Sequence, residues 1–170
     1  SVAWTEPDWV LAAELTWHQW SRYRPPTARI AIALEIPILP LAIPPNPIPQ
    51  DADFSDIFIP RVGAEYRVFN GKHVGLWLRA GYSYEPTPAP KQPGGTNYVD
   101  TDKHTFAAGF SFRFSELTDI LPKPFYLDVA GSYILMPERV YTKDDPADPV
   151  GDYVAAGRFL TLTSTMRWLF

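Results

Sequence analysis

Between Thr105 and Ser115 apolar and polar positions alternate. Phe106, Ala108, Phe110, Phe112 and Phe114 form one face, and Thr105, Ala107, Gly109, Ser111, Arg113 and Ser115 the other. A period of two is the signature of a β-strand with one apolar side. The pattern recurs along the chain. Val74, Leu76, Leu78, Ala80, Tyr82 and Tyr84 oppose Gly75, Trp77, Arg79, Gly81, Ser83 and Glu85. Val62, Ala64, Tyr66 and Val68 oppose Arg61, Gly63, Glu65 and Arg67. Leu127, Val129, Tyr133 and Leu135 oppose Asp128, Ala130 and Ser132. Near the start, Leu11, Ala13, Leu15 and Trp17 oppose Glu14, Thr16, His18 and Trp20, while Ile30, Ile32, Leu34 and Ile36 oppose Arg29, Ala31, Ala33 and Glu35. At the end, Leu160, Leu162, Met166, Trp168 and Phe170 oppose Thr161, Thr163, Thr165 and Arg167. The pattern predicts about seven strands of roughly nine to fourteen residues.

Strand length separates two all-β architectures. Strands of soluble proteins average about five to six residues. A tilted strand that crosses a bilayer needs about nine to eleven. A soluble sandwich explains the alternation equally well, but not the length. The connections favour the membrane too: SRYRPPT, FNGK and SELTDILPKP are short or moderate, whereas LPLAIPPNPIPQDADFSD, PTPAPKQPGGTNYVDTD and PERVYTKDDPADPVGD are long. Transmembrane barrels pair short periplasmic turns with long extracellular loops. With Phe170 at the periplasmic end, every long loop falls outside. Tyr82, Tyr84 and Phe106 then mark an outer aromatic girdle, and Trp17, Phe112, Phe114, Trp168 and Phe170 an inner one. The expected fold is an all-β, antiparallel up-and-down transmembrane β-barrel over residues 1–170, with a Pro-rich extracellular loop insertion over 38–55. Seven up-and-down strands cannot close, because the first and last would run parallel. An open edge in lipid costs several kcal/mol for each unpaired backbone group. The expectation is therefore part of a larger barrel, about half of a fourteen-stranded one, with no hatch domain among these residues.

Composition narrows the function classes. A net charge of −4 and a pI near 5.3 argue against nucleic acid as a partner. The chain has no cysteine, so neither a disulfide framework nor a thiolate metal site arises. No run of eighteen apolar residues marks a transmembrane helix. Nineteen prolines and an aromatic content of 15% accompany a slightly polar mean hydropathy, as expected for strands that are apolar on one side only.

With the strands placed, several stretches resemble the C-terminal half of the outer-membrane long-chain fatty acid and hydrocarbon transporters, the FadL/TodX type. DWVLAAELTWHQWSRY resembles an aromatic strand of that family that ends in a Trp-Ser pair. PRVGAEYRV and LRAGYSYEPTPAP resemble its paired strands. DTDKHTFAAGFSFRF and GDYVAAGRFLTLTSTMRWLF resemble its following and final strands. The likeness runs through nearly the whole chain except the Pro-rich loop. It implies location in the Gram-negative outer membrane, a fourteen-stranded barrel whose lumen is plugged by an N-terminal hatch, and passive diffusion of hydrophobic small molecules without a cofactor. The implied partners are the lipid bilayer and lipopolysaccharide, the outer-membrane assembly machinery, and the remaining half of the barrel or a partner chain. A structural or interaction half-barrel subunit is the alternative, and an outer-membrane hydrolase a more distant one.

The strand charges gather on one face: Glu14, Arg29, Glu35, Arg61, Glu65, Arg67, Arg79, Glu85, Arg113, Asp128 and Arg167. Lipid repels charge, so this face is the lumen. One reading is a wall of paired charges. The other has a lumen arginine greeting a substrate carboxylate through paired hydrogen bonds. The candidate ligand-binding residues are Arg61, Arg79, Trp77, Arg113 and Phe159. Phe170, Trp168 and Met166 form the expected assembly signal. His18, His73 and His104 lack metal-ligand spacing, and no serine sits in a nucleophile elbow. Asp102 and His104 suggest acid–base chemistry only weakly, since a rim histidine has the same pattern. The apolar LPLAIPPNPIP reads either as a stiff loop over the mouth or as a landing site for substrate or a partner protein.

Overall fold

The computed structural model describes residues 1–24, 52–116 and 123–168. The strands are β1 (Val2–Thr5), β2 (Trp9–His18), β3 (Ile57–Asn70), β4 (Val74–Glu85), β5 (Lys103–Phe114), β6 (Phe125–Tyr141) and β7 (Tyr153–Trp168), with a short 3-10 helix at Trp20–Arg22. They form one sheet in chain order, and each strand is antiparallel to the next. The sheet is a section of an up-and-down transmembrane β-barrel.

The expected strand over Ile30–Ile36 lies outside the described residues, as do most of the 38–55 insertion and Phe170. β2 pairs directly with β3, from Trp9↔Tyr66 to His18↔Ile57, so no strand separates them. Among the described residues the sheet includes a strand that the alternation did not mark, β1, whose four residues are too few for a period of two to stand out. The direct pairing of β2 with β3 moves one aromatic. Trp17 pairs with Phe58 at the start of β3 and so belongs to the long-loop end, not the inner girdle. Trp9, opposite Tyr66, takes its place at the short-turn end, where its ring meets that of Trp4 at 5.0 Å.

The connections then sort cleanly. β1–β2, β3–β4 and β5–β6 join at one end, and β2–β3, β4–β5 and β6–β7 join through longer segments at the other. Local chemistry supports both the turns and the breaks. Gly71 N–H donates to the Val74 carbonyl at 2.9 Å to close the β3–β4 turn. Pro60 sits in β3 just beyond the point where β4 begins to pair, at Arg61↔Ser83. Pro137 falls within the irregularity between Met136 and Arg139, where the ladder does not need its missing N–H.

The apolar face is bare. Leu160, Leu162 and Met166 are 75%, 77% and 69% exposed. A soluble sheet that left such residues in water would aggregate, whereas lipid covers them at no cost. Along this face the rings of Phe110, Phe112, Phe114 and Phe125 follow one another at 5.5, 5.9 and 6.0 Å. The buried apolar side chains, Ala52, Ile57, Ile59, Ala89, Tyr141 and Ala155, all lie at the long-loop end. There the connections fold into a compact cap.

Candidate functional site

The polar face is a ladder of ion pairs. Arg61 Nη1 lies 2.6 Å from Glu14 Oε1 and 2.7 Å from Thr16 Oγ1, which joins β3 to β2. Arg79 spans four strands. Its Nε donates to Glu65 Oε2 on β3 at 2.5 Å, and its Nη1 to Ser111 on β5 at 2.8 Å and Asp128 on β6 at 3.2 Å. The Ser111 hydroxyl, 3% exposed as a residue, donates in turn to Asp128. At the short-turn end Arg67 pairs with Asp8 at 2.7 Å. Arg113 donates from Nη2 to the Gly71 carbonyl, which ties β5 to the neighbouring turn. The Arg167 guanidinium lies 4.5 Å from the centre of the Tyr126 ring.

The five sequence-predicted ligand residues do not converge. Trp77 and Arg79 share one strand and one face. Arg61 lies nearer the long-loop end, in the row that passes through Ser83, Thr105 and Ile134 to Phe159 on β7. Three strands therefore separate Arg61 from Phe159. Arg113 lies near the short-turn end, opposite Gly75 and Tyr126. Trp77 folds back over Gly75, where a Cβ would come within 2.6 Å of the indole, so a larger residue there would displace the ring. Arg61 and Arg79 are already engaged with carboxylates, and either would have to exchange partners to bind another. Asp102 and His104 also have separate partners: Asp102 accepts from Tyr84 and from Thr87 N–H at 2.8 and 2.9 Å, and His104 Nδ1 meets the Tyr82 hydroxyl at 2.8 Å.

Two features were not singled out in the sequence. The first is a depression of about 250 Å³ beside Arg79 and Asp128, floored by Gly81, Ala107, Gly109 and Ala130. Cross-strand register brings these residues together from three strands. In each strand alone they are unremarkable small residues, so only knowledge of the pairing could have revealed the hollow. The second is the clasp in the cap. The Lys143 side chain is only 2% exposed, and its Nζ donates to the Gly94 and Thr96 carbonyls at 2.6 and 2.8 Å. Gln92 is fully buried beside it. Lys143 thus ties the β6–β7 connection to the β4–β5 connection, beside a backbone bond from Asp144 N–H to the Pro93 carbonyl at 3.2 Å.

A polar wall behind a bare apolar face defines a lumen and a lipid side, which invites comparison with known barrels. Residues 2–166 match the family described as outer membrane protein transport protein (OMPP1/FadL/TodX). The chain belongs to this family. As an OMPP1/FadL/TodX protein it is a β-barrel protein of the Gram-negative outer membrane. It is 36% identical over 94 residues to alkane uptake protein A of Marinobacter nauticus, a match that covers 54% of this chain and 20% of that protein. The crystal structure of a Pseudomonas aeruginosa FadL homologue superimposes with a TM-score of 0.58 at 19% identity, covering 95% of this chain and 31% of that one. At that identity the likeness concerns the fold. The chain thus spans about a fifth of the curated relative and under a third of the solved structure.

Proposed function

We propose that this chain forms one part of the wall of a channel that carries hydrophobic small molecules, hydrocarbons or long-chain fatty acids, passively across the outer membrane. The observation that carries this reading is the small-residue hollow in an otherwise polar lumen wall. Ion pairs brace the strands on either side of it, and Gly81, Ala107, Gly109 and Ala130 keep their own volume out of the lumen. A greasy solute could pass beside that surface without displacing a bulky side chain. The work is binding and passage, not bond breaking. Family membership and the likeness to an alkane uptake protein support the substrate class. In this reading the other half of a fourteen-stranded barrel, with its hatch, completes the lumen, and solute leaves sideways into the membrane. Arg61 and Arg79 serve mainly as wall braces, while Trp77 and Phe159 offer apolar contact surface.

Two alanines on opposite faces test the hollow. Ala107 lines it, and Ala64, on the apolar face of β3, lies outside it. In the intact polypeptide, Ala107→Phe should cut uptake of radiolabelled alkane and fatty acid several-fold, and Ala64→Phe should leave it unchanged. Equal uptake by both variants at equal membrane levels would contradict the proposal.

A further inference from the structure

A second pocket, of about 300 Å³, opens at the long-loop end, away from the hollow in the wall. Trp20, Phe54, Pro88, Ala89 and Tyr98 line its sides. Phe54 organises the rings: it meets Tyr98 edge-on at 4.9 Å, Trp20 at 6.1 Å, and stacks on Tyr23 at 5.6 Å. The volume sits at the small end of ligand pockets, which run from roughly 300 to 1,000 Å³. It suits a compact molecule or one end of a longer one.

Charge at this pocket is lopsided. Val99, Glu85, Asp100 and Lys103 complete the lining, and Lys103 Nζ lies 3.3 Å from Glu85 and 2.9 Å from Asp100. One ammonium shared between two carboxylates leaves a formal charge of −1. An incoming carboxylate would find the lysine already taken and two like charges facing it, with apolar rings behind. Like charge at such range is repulsive, the more so where rings exclude water. A neutral hydrocarbon meets only ring faces, ring edges and proline, and displaces water that few groups hold.

We propose that this pocket receives uncharged hydrocarbons at the mouth of the barrel and turns away ionised fatty acids. The proposal rests on the reading of the chain as part of a channel for hydrophobic molecules, and it narrows the substrates that enter by this side.

Naphthalene and 2-naphthoate share a ring system and differ in charge, so they make a matched pair of probes. Binding of each is measured by equilibrium dialysis to the intact polypeptide in lipid nanodiscs, above the partition into empty nanodiscs. Naphthalene should bind at least about tenfold more tightly than 2-naphthoate, a difference of about 1.4 kcal/mol. Glu85→Gln keeps the shape and takes the lining charge to zero. It should strengthen 2-naphthoate binding three- to tenfold and leave naphthalene unchanged. Phe54→Ala should weaken naphthalene binding by up to about tenfold, the scale of an aromatic contact. Equal affinity for the two probes, or a Glu85→Gln variant with unchanged 2-naphthoate binding, overturns the proposal. The half-exposed Glu85 is a mild site for substitution, and heat-dependent electrophoretic mobility checks barrel assembly, so this arm stands even if Phe54→Ala fails to assemble. Uptake is scored separately. Loss of all hydrocarbon uptake with the binding preference intact refutes the transport reading and leaves the pocket standing. Uptake without any preference refutes the pocket alone.

Discussion

Arg79 is the most connected side chain of the lumen wall, and its removal distinguishes a brace from a substrate receptor. It pairs with Glu65 at 2.5 Å and Asp128 at 3.2 Å, with side chains 48%, 34% and 29% exposed. Two unit charges 4 Å apart attract by about 1 kcal/mol in water and about 4 kcal/mol at an effective dielectric constant of 20. At these exposures the low end applies, and partly exposed pairs contribute about 0.2–1 kcal/mol each. Two such pairs and the bond to Ser111 place the loss in Arg79→Met at about 1–2 kcal/mol. Glu65→Gln should cost about half as much, with a coupling to Arg79 of about 0.5–1 kcal/mol in a double-mutant cycle. In 1 M salt the screening length falls to about 3 Å, and the coupling should shrink. The assay is urea-induced unfolding of the intact polypeptide in phospholipid vesicles, followed by tryptophan fluorescence. A brace loses stability and keeps fatty-acid affinity. A receptor loses fatty-acid affinity and keeps stability. Unchanged stability in Arg79→Met, with no coupling to Glu65, would refute the brace.

Three further outcomes follow from the geometry. Lys143→Met strands the Gly94 and Thr96 carbonyls at a cost of about 1–3 kcal/mol; trypsin should then cut after the exposed Lys91 at least about tenfold faster, and an unchanged rate would count against the clasp. Gly109→Ala pushes a Cβ to 2.8 Å from the Val129 carbonyl and should destabilise the sheet by about 1–3 kcal/mol in the urea assay, whereas Ala107→Ser, in the same hollow, should be close to neutral. Asp56 accepts hydrogen bonds from the Ser21 hydroxyl and, at 2.9 Å, from Ser21 N–H, and these hold its carboxyl below the ordinary 3.8. A carboxyl with a lowered folded value stabilises above 3.8 and loses that contribution as pH falls through the folded value; protection of the Ser21 amide from exchange should therefore fall at low pH in the native protein and be low at every pH in Asp56→Ala.

Much of the fold was legible because lipid imposes a strict rule on each strand. Leu160 and Leu162 alternate with Thr161 and Thr163 because one face is apolar, and the pairing of β7 with β6 follows that alternation from Phe125↔Trp168 to Met136↔Gly157. β1 was not legible, since four residues carry no period. The adjacency of β2 and β3 was not legible either, since it is a property of the sheet, not of either strand. For the site, the sequence placed Glu14, Arg61, Glu65, Arg79 and Asp128 on one face, where they pair, while Arg29 and Glu35 lie outside the described residues. It could not say that Arg61 meets Glu14 or that Arg79 reaches Ser111 and Asp128, because register decides those meetings. The hollow and the mouth pocket depend on residues far apart in the chain: Trp20 and Phe54 stand at opposite ends of the β2–β3 connection and Tyr98 in the β4–β5 connection, and no local pattern joins them.

The division of the sheet into a lipid face and a lumen face underlies every functional statement above. Leu162 lies mid-strand in a row with Ala64, Ala80, Ala108 and Gly131 on the apolar face, and its neighbour Thr163 points the other way. The decisive measurement is the folding free energy of Leu162→Arg against Thr163→Arg in phospholipid vesicles. Arginine facing lipid near the bilayer midplane costs about 2–4 kcal/mol, whereas a lumen arginine stays in a polar environment. The account predicts that loss for Leu162→Arg and less than about 1 kcal/mol for Thr163→Arg. Equal tolerance of the two substitutions would mean that water wets both faces, and would contradict a membrane-spanning wall.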